Sequence, residues 1–206
     1  MTEVAAPRWQ RRPEARRDEL LDAAQRLFTR HGLAQTSVAD IAAEAGVAKG
    51  SVYRYFESKE ALLSALKDRF FERMMERVTA VAAAMPDAGF FEQADAAIDA
   101  TTRLLFEEAD LVELWSQGTA TERGDEFARG IALLASTYEA AIRDAVGDGR
   151  IDCADPRTTS LLLVYAVEGT ATHAILNGGG PTPDEVIAAA QAMTRRVLAP
   201  SGRVGP

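Results

Sequence analysis

Cysteine is almost absent: Cys153 stands alone among 206 residues, which rules out an internal disulfide framework and suits a reducing cytoplasm. Histidine is as scarce, with only His31 and His173. Without an HExxH pair, a cysteine cluster or a glycine-rich phosphate loop after a strand, the chain offers no metal site and no nucleotide cradle. An enzyme is therefore the weaker reading, and neither cofactor nor metal is expected. No apolar run approaches the roughly 20 residues of a membrane span, and the arginine-rich start lacks the apolar segment of a signal peptide. A soluble cytoplasmic protein without membrane contact is the expectation. Strand alternation and internal repeats are missing too, so the fold class is all-α.

What the chain does hold is the run VADIAAEAGVAKGSVYRYF, from Val38 to Phe56. Ile41 and Ala42 share one face of a first short helix, and Val47, Val52 and Tyr55 supply the buried side of a second. Gly46 takes the turn between them, where a positive φ suits glycine. The spacing brings Ala42, Gly46 and Val52 to one contact point, as a helix-turn-helix requires. The pattern alone also allows an ordinary helical hairpin. Its flanks favour the motif: Ser37 with Asp40 forms a capping box, Ser58 caps a helix beginning at Lys59, and Leu20, Ala24, Leu27 and Phe28 recur at helical spacing before a stop at His31 and Gly32.

With those residues in place, the stretch from about Arg16 to Leu66 resembles the DNA-binding domain of the tetracycline-repressor (TetR) family, through LLDAAQRLFTRHG, TSVADIAAEAGVAKGSVYRYF and SKEALL. The resemblance implies a sequence-specific regulator, most simply a repressor. Its partners would be double-stranded DNA bearing a palindromic operator, a second copy of the chain and a small-molecule effector. It implies base contacts from Lys49, Gly50, Ser51 and Tyr53, with Tyr55 and Lys59 meeting phosphates and Ser37 able to do the same. Two positions depart from the pattern. Ala48 stands where many relatives place a serine or threonine cap, and outward Ala39 is apolar where some place a base reader.

A net charge of −8 looks wrong for a partner of a polyanion, but it is unevenly spread. Residues 1–59 hold ten basic against eight acidic side chains, a net of +2, leaving −10 for the remainder. Five arginines crowd positions 8–17, and among them Arg11 and Arg12 are candidates for a basic arm that enters a minor groove or pairs with phosphates. The alternative for this arm is a solvated tail.

Beyond Ser58 the chain reads helical, with breaks at Met85–Gly89, Gly118–Gly124, Gly147–Asp155 and Asn177–Thr182. Asp155 before Pro156, and Thr182 before Pro183 and Glu185, predict helices over 156–176 and 183–198. Leu161, Leu162, Tyr165, Gly169, Thr172 and Ile175 on the first, with Val186, Ala189, Ala190, Met193 and Val197 on the second, trace faces suited to a dimer. The alternative is intrachain core. Between the motif and these helices, Phe90, Phe91, Phe106, Trp115, Phe127, Tyr138 and Tyr165 offer apolar surface, with Glu113, Glu168 and His173 as polar anchors for a largely apolar ligand. Of these, Phe106, Trp115, Phe127, Tyr138, Tyr165, Glu168 and His173 are the candidate ligand residues. The expected domains are 1–58, arm and DNA-binding; 59–199, effector-binding and dimerising; and 200–206, a disordered tail. Residues 59–85 read as one helix joining the first two. A helical interaction protein that has lost DNA binding is the alternative from another class, and Lys49, Tyr53, Tyr55 and Lys59 speak against it.

Overall fold

The computed structural model describes the backbone of residues 13–116 and 120–199 and the side chains of residues 15–116 and 128–199. Among the described residues it holds helices and no strand. The chain divides into two compact units, Met1–Arg69 and Phe70–Pro206.

In the N-terminal unit, α1 (Pro13–His31) buries Leu20, Leu21, Ala24 and Phe28, the helical spacing that the sequence displays. It ends at Gly32, whose φ of 80° closes the helix. Then α2 (Val38–Glu44) and α3 (Lys49–Tyr53) form the short pair, with Ile41, Ala42 and Val52 in the core. Ion pairs fasten the set: Arg26 Nε donates to Glu44 Oε1 at 2.8 Å, and Arg69 reaches Asp22 at 2.7 Å and Gln25 at 2.8 Å. The guanidinium of Arg26 holds the Glu44 carboxyl below its ordinary range.

A single helix, α4 (Lys59–Ala84), opens under the Ser58 cap, whose Oγ accepts from Ala61 N at 3.1 Å. The expected boundary at Ser58 is therefore the start of this helix, whereas the compact units part within it, after Arg69. The reason is burial: Leu62, Ala65 and Leu66 are core residues of the N-terminal unit.

The C-terminal unit contains the remainder of α4 with α5 (Phe90–Glu107), α6 (Ala109–Ser116), α7 (Ala120–Gly147), α8 (Pro156–Asn177) and α9 (Pro183–Leu198). Of these, α8 packs against α5, α6, α7 and α9, and α5 also packs on α9. Capping fixes the last two starts: Thr158 N donates to Asp155 Oδ1 at 3.1 Å, and Thr182 forms a reciprocal box with Glu185. Two expectations need correction. The helical stretch after Gly89 breaks at Glu108, which separates α5 from α6 without glycine or proline. The break expected over Gly118–Gly124 has already given way to helix at Ala120.

The expectation about apolar runs also changes. Among the described residues α8 is long and apolar enough, by length and composition, to cross a membrane. Its hydrophobic residues are spaced among alanine, threonine and Glu168, so no continuous run announces it. Only 22% of its most apolar window is buried within the chain.

Candidate nucleic-acid interface and ligand cavity

The helix-turn-helix is assembled from local rules. Ser37 is extended at the N-cap of α2; its Oγ accepts from Asp40 N at 3.2 Å while Asp40 Oδ2 accepts from Ser37 N at 2.9 Å. Hydrogen bonds from the Ser37 hydroxyl and then its amide hold the Asp40 carboxyl below the usual range. Gly46, at a φ of 66°, turns the chain into α3. Here Ala48 is the N-cap and supplies no side-chain hydrogen bond, so the five-residue α3 depends on the burial of Val52 and, just after it, Phe56.

Burial of Val52 leaves the opposite side of α3 open. Lys49, Gly50 and Tyr53 are exposed and Ser51 is half-buried. The Lys49 ammonium stands 5.9 Å from the centre of the Tyr53 ring, within cation–π range. A cation, a hydroxyl and a phenol on one short helix provide donors for guanine O6 and N7 or for phosphate, and an aromatic edge for thymine methyl groups. At the edge of this surface the Arg17 guanidinium lies over the Phe56 ring, 5.5 Å from its centre.

The C-terminal unit holds a second feature, a half-open cavity of about 200 Å³. Its walls are aromatic and aliphatic, drawn from α4, α5, α7, α8 and α9, with Phe70, Phe71, Phe90 and Leu163 prominent. Phe71 is seated against Gly130, where an added Cβ would lie 2.3 Å from the ring. The Tyr138 ring stacks near Phe90 at 6.2 Å. Burial pushes its phenol up to about 12, opposed by the neighbouring Thr194 and reinforced by the charge of Asp95. Although Thr194 is close, the Tyr138 hydroxyl completes no well-formed hydrogen bond among the described residues. Glu168 is half-buried in the wall, and Thr172 Oγ1 donates to its Oε1 at 2.9 Å. Burial raises this carboxyl above the ordinary range, and Thr172 only partly offsets the effect.

Residues 20–66 match the model of bacterial regulatory proteins of the tetR family. This stretch contains α2 and α3 entire, and hence the exposed face of α3. These residues carry the DNA-binding domain of the TetR family. The chain is similar to the HTH-type transcriptional repressor KstR2 of Mycolicibacterium smegmatis, at 40% identity over 72 residues. That alignment spans 35% of each protein, so the match covers about a third of KstR2's length. Among solved structures, SmeT, the repressor of the Stenotrophomonas maltophilia multidrug efflux pump SmeDEF, aligns with a TM-score of 0.74 at 24% identity, covering 92% of this chain and 93% of SmeT. The fatty acid degradation regulator FadR of Bacillus halodurans aligns at 0.72 and 21% identity, covering 89% and 95%. At those identities the two structures show the fold.

The candidate DNA residues fall in different settings. Lys49, Gly50, Ser51 and Tyr53 share the open side of α3, and Tyr55 is half-buried just beyond it. Lys59 is turned elsewhere: its ammonium donates to the carbonyls of Leu33 at 2.8 Å, Thr36 at 3.3 Å and Ala34 at 3.5 Å. The side chain thus clasps the α1–α2 loop, in place of the free phosphate contact expected. Ser37 is exposed, with its hydroxyl engaged by Asp40 at 2.7 Å. Arg11 and Arg12 lie outside the described residues, as does the expected tail over 200–206.

The candidate ligand residues divide more sharply. Tyr138 and Glu168 line the cavity; Trp115 stands behind it, edge-on to Phe70 at 5.0 Å. Phe106, Tyr165 and His173 are not in its wall. Tyr165 and His173 occupy the solvent side of α8, away from the cavity, and His173 Nδ1 faces Asn177 Nδ2 at 3.1 Å. Glu113 is exposed as well. The side chain of Phe127 lies outside the described residues. Reading by aromatics missed the contribution of α4, where Phe70, Met74, Val78 and Val81 reach the cavity. Their three- and four-residue spacing was the available signal.

On α8 and α9 the expected dimer face resolves into two. Val186 and Ala190 are core residues, whereas Leu162, 66% exposed, Tyr165, Gly169 and Val197 remain open to solvent along with Leu176.

Proposed function

We propose that the protein is a homodimeric, sequence-specific DNA-binding repressor that a small molecule releases from its operator. The observation that carries this reading is the division of α3: Val52 anchors it in the core while Lys49, Gly50 and Tyr53 are left exposed. An exposed cation and phenol, beside a glycine that lets the backbone come close, suit a major groove. Repression is supported by the relatives named as repressors, KstR2 and SmeT. Residues 1–58 would supply the DNA contacts, with Ser51, Tyr55 and the arm residues Arg11 and Arg12 joining α3. Residues 59–199 would hold effector and partner. The open apolar side of α8 with Val197 is the surface for a second copy, because a two-fold dimer offers two recognition helices to successive major grooves about 34 Å apart.

Release follows from the continuity of α4. It starts at Lys59, under the Ser58 cap, and its later residues line the cavity. A ligand that prefers a DNA-incompetent placement of this helix weakens operator binding by its differential affinity for the two states, a coupling of about 1–3 kcal/mol in typical cases.

The test is fluorescence anisotropy of the full chain on DNA flanking its own gene, across a salt series, beside Lys49→Ala and Tyr53→Ala. The expected result is selective binding that weakens steeply with salt. Each variant should lose selectivity, by about 1–3 kcal/mol if its contact is to a base edge. Absence of any salt-sensitive DNA binding overturns the proposal.

A further inference from the structure

Two polar groups at the cavity are left without a full complement of partners. Glu168 Oε1 accepts from Thr172, and no further partner for the carboxylate occurs among the described residues. The Tyr138 hydroxyl is buried beside Thr194 and completes no well-formed hydrogen bond among the described residues. Three other polar side chains of the wall are committed locally: Gln93 Nε2 donates to Met85 O at 2.7 Å, Thr101 to Ala97 O at 2.8 Å and Thr137 to Leu133 O at 3.0 Å, while Thr194 neighbours Tyr138. No lysine, arginine or histidine occurs among the described lining residues.

This charge pattern discriminates between ligands. An anionic ligand would enter an apolar chamber beside a carboxylate, with no described cation to receive it, and buried unpaired charge is strongly disfavoured. A neutral hydrocarbon would bury Glu168 further and give it nothing. A cation with N–H donors forms a charge-assisted hydrogen bond to the free carboxylate oxygen, where low dielectric strengthens it. Size sets the other limit. A cavity of about 150 Å³ accommodates benzene, so about 200 Å³ suits one or two rings.

We infer that the cavity takes a compact apolar cation, a protonated amine carried on one or two rings, with Glu168 as counter-ion and Tyr138 as second polar contact. This inference deepens the proposed function, since it rests on the cavity being the effector site.

The experiment is isothermal calorimetry on the full chain with three probes of one shape and different charge: 2-(1-naphthyl)ethylamine, 2-(1-naphthyl)ethanol and 1-naphthylacetate. The amine should bind about ten- to a hundredfold more tightly than the alcohol, as a charged hydrogen bond in a buried site allows, and the acetate should not bind. Glu168→Gln, checked for helicity by circular dichroism, should abolish the preference of the amine over the alcohol; Tyr138→Phe should weaken both amine and alcohol. The ranking on the unaltered protein stands even if a variant does not fold. Equal or tighter binding of the alcohol or acetate, retention of the preference in Glu168→Gln, or no binding by any probe overturns the inference. Operator anisotropy with saturating amine separates the two claims: tight amine binding with unchanged DNA affinity leaves the ligand class intact and overturns the effector reading.

Discussion

Glu168 illustrates how a single residue can be unfavourable for the empty fold. Its carboxyl is raised by burial, so the folded state binds its proton more tightly than the unfolded chain does. The favourable contribution is complete below the unfolded value near 4.5 and is lost as pH rises through the folded one. Above the folded value the ionised group opposes folding. Thermal unfolding should therefore show Glu168→Gln with a higher Tm than the parent at pH 7, and a gain that disappears at pH 4. A gain independent of pH would assign the effect to packing. Ser37 works in the opposite sense. Its hydroxyl caps α2 and orients the pair, so Ser37→Ala should cost about 1 kcal/mol in denaturant unfolding.

At the scale of elements, helix starts were legible because their chemistry is local. The boxes at Ser37 and Thr182 and the caps at Ser58 and Asp155 each need only a side chain and an amide three residues on. The break at Glu108 was not legible, because no residue there forbids helix; there Arg73 pairs with Glu108, and side-chain pairing from another helix has no signature in neighbouring residues. The cavity was legible at Phe90, Tyr138 and Glu168 alone, since which face of α8 turns inward depends on how α5 and α7 pack on it. Gly130 shows the same dependence. Its lack of Cβ matters only because Phe71 occupies the space, so Gly130→Ala should destabilise by about 1–3 kcal/mol. Pairing it with Phe71→Leu, which removes the ring, should recover part of that loss in the same unfolding assay.

For the whole molecule, oligomeric state is the property the exposed residues address. Leu162, Tyr165, Leu176 and Val197 place large apolar side chains in water on α8 and α9, a patch that an isolated chain has no use for. Leu162→Glu with Val197→Glu should shift sedimentation from dimer to monomer and weaken operator binding through loss of the second recognition helix, without altering helicity. A dimer that persists in this double variant places the interface elsewhere.

The five-residue α3, uncapped at Ala48, is too short to be stable by itself. Its order is borrowed from Val52, while the side chains that face outward contribute little to it. On the proposed reading, the address on DNA would be written on positions the fold depends on little. Exchanging Lys49, Ser51 and Tyr53 as a cassette between such proteins would then redirect one ligand's response to another operator, whereas a change at Val52 would erase the reader together with the text.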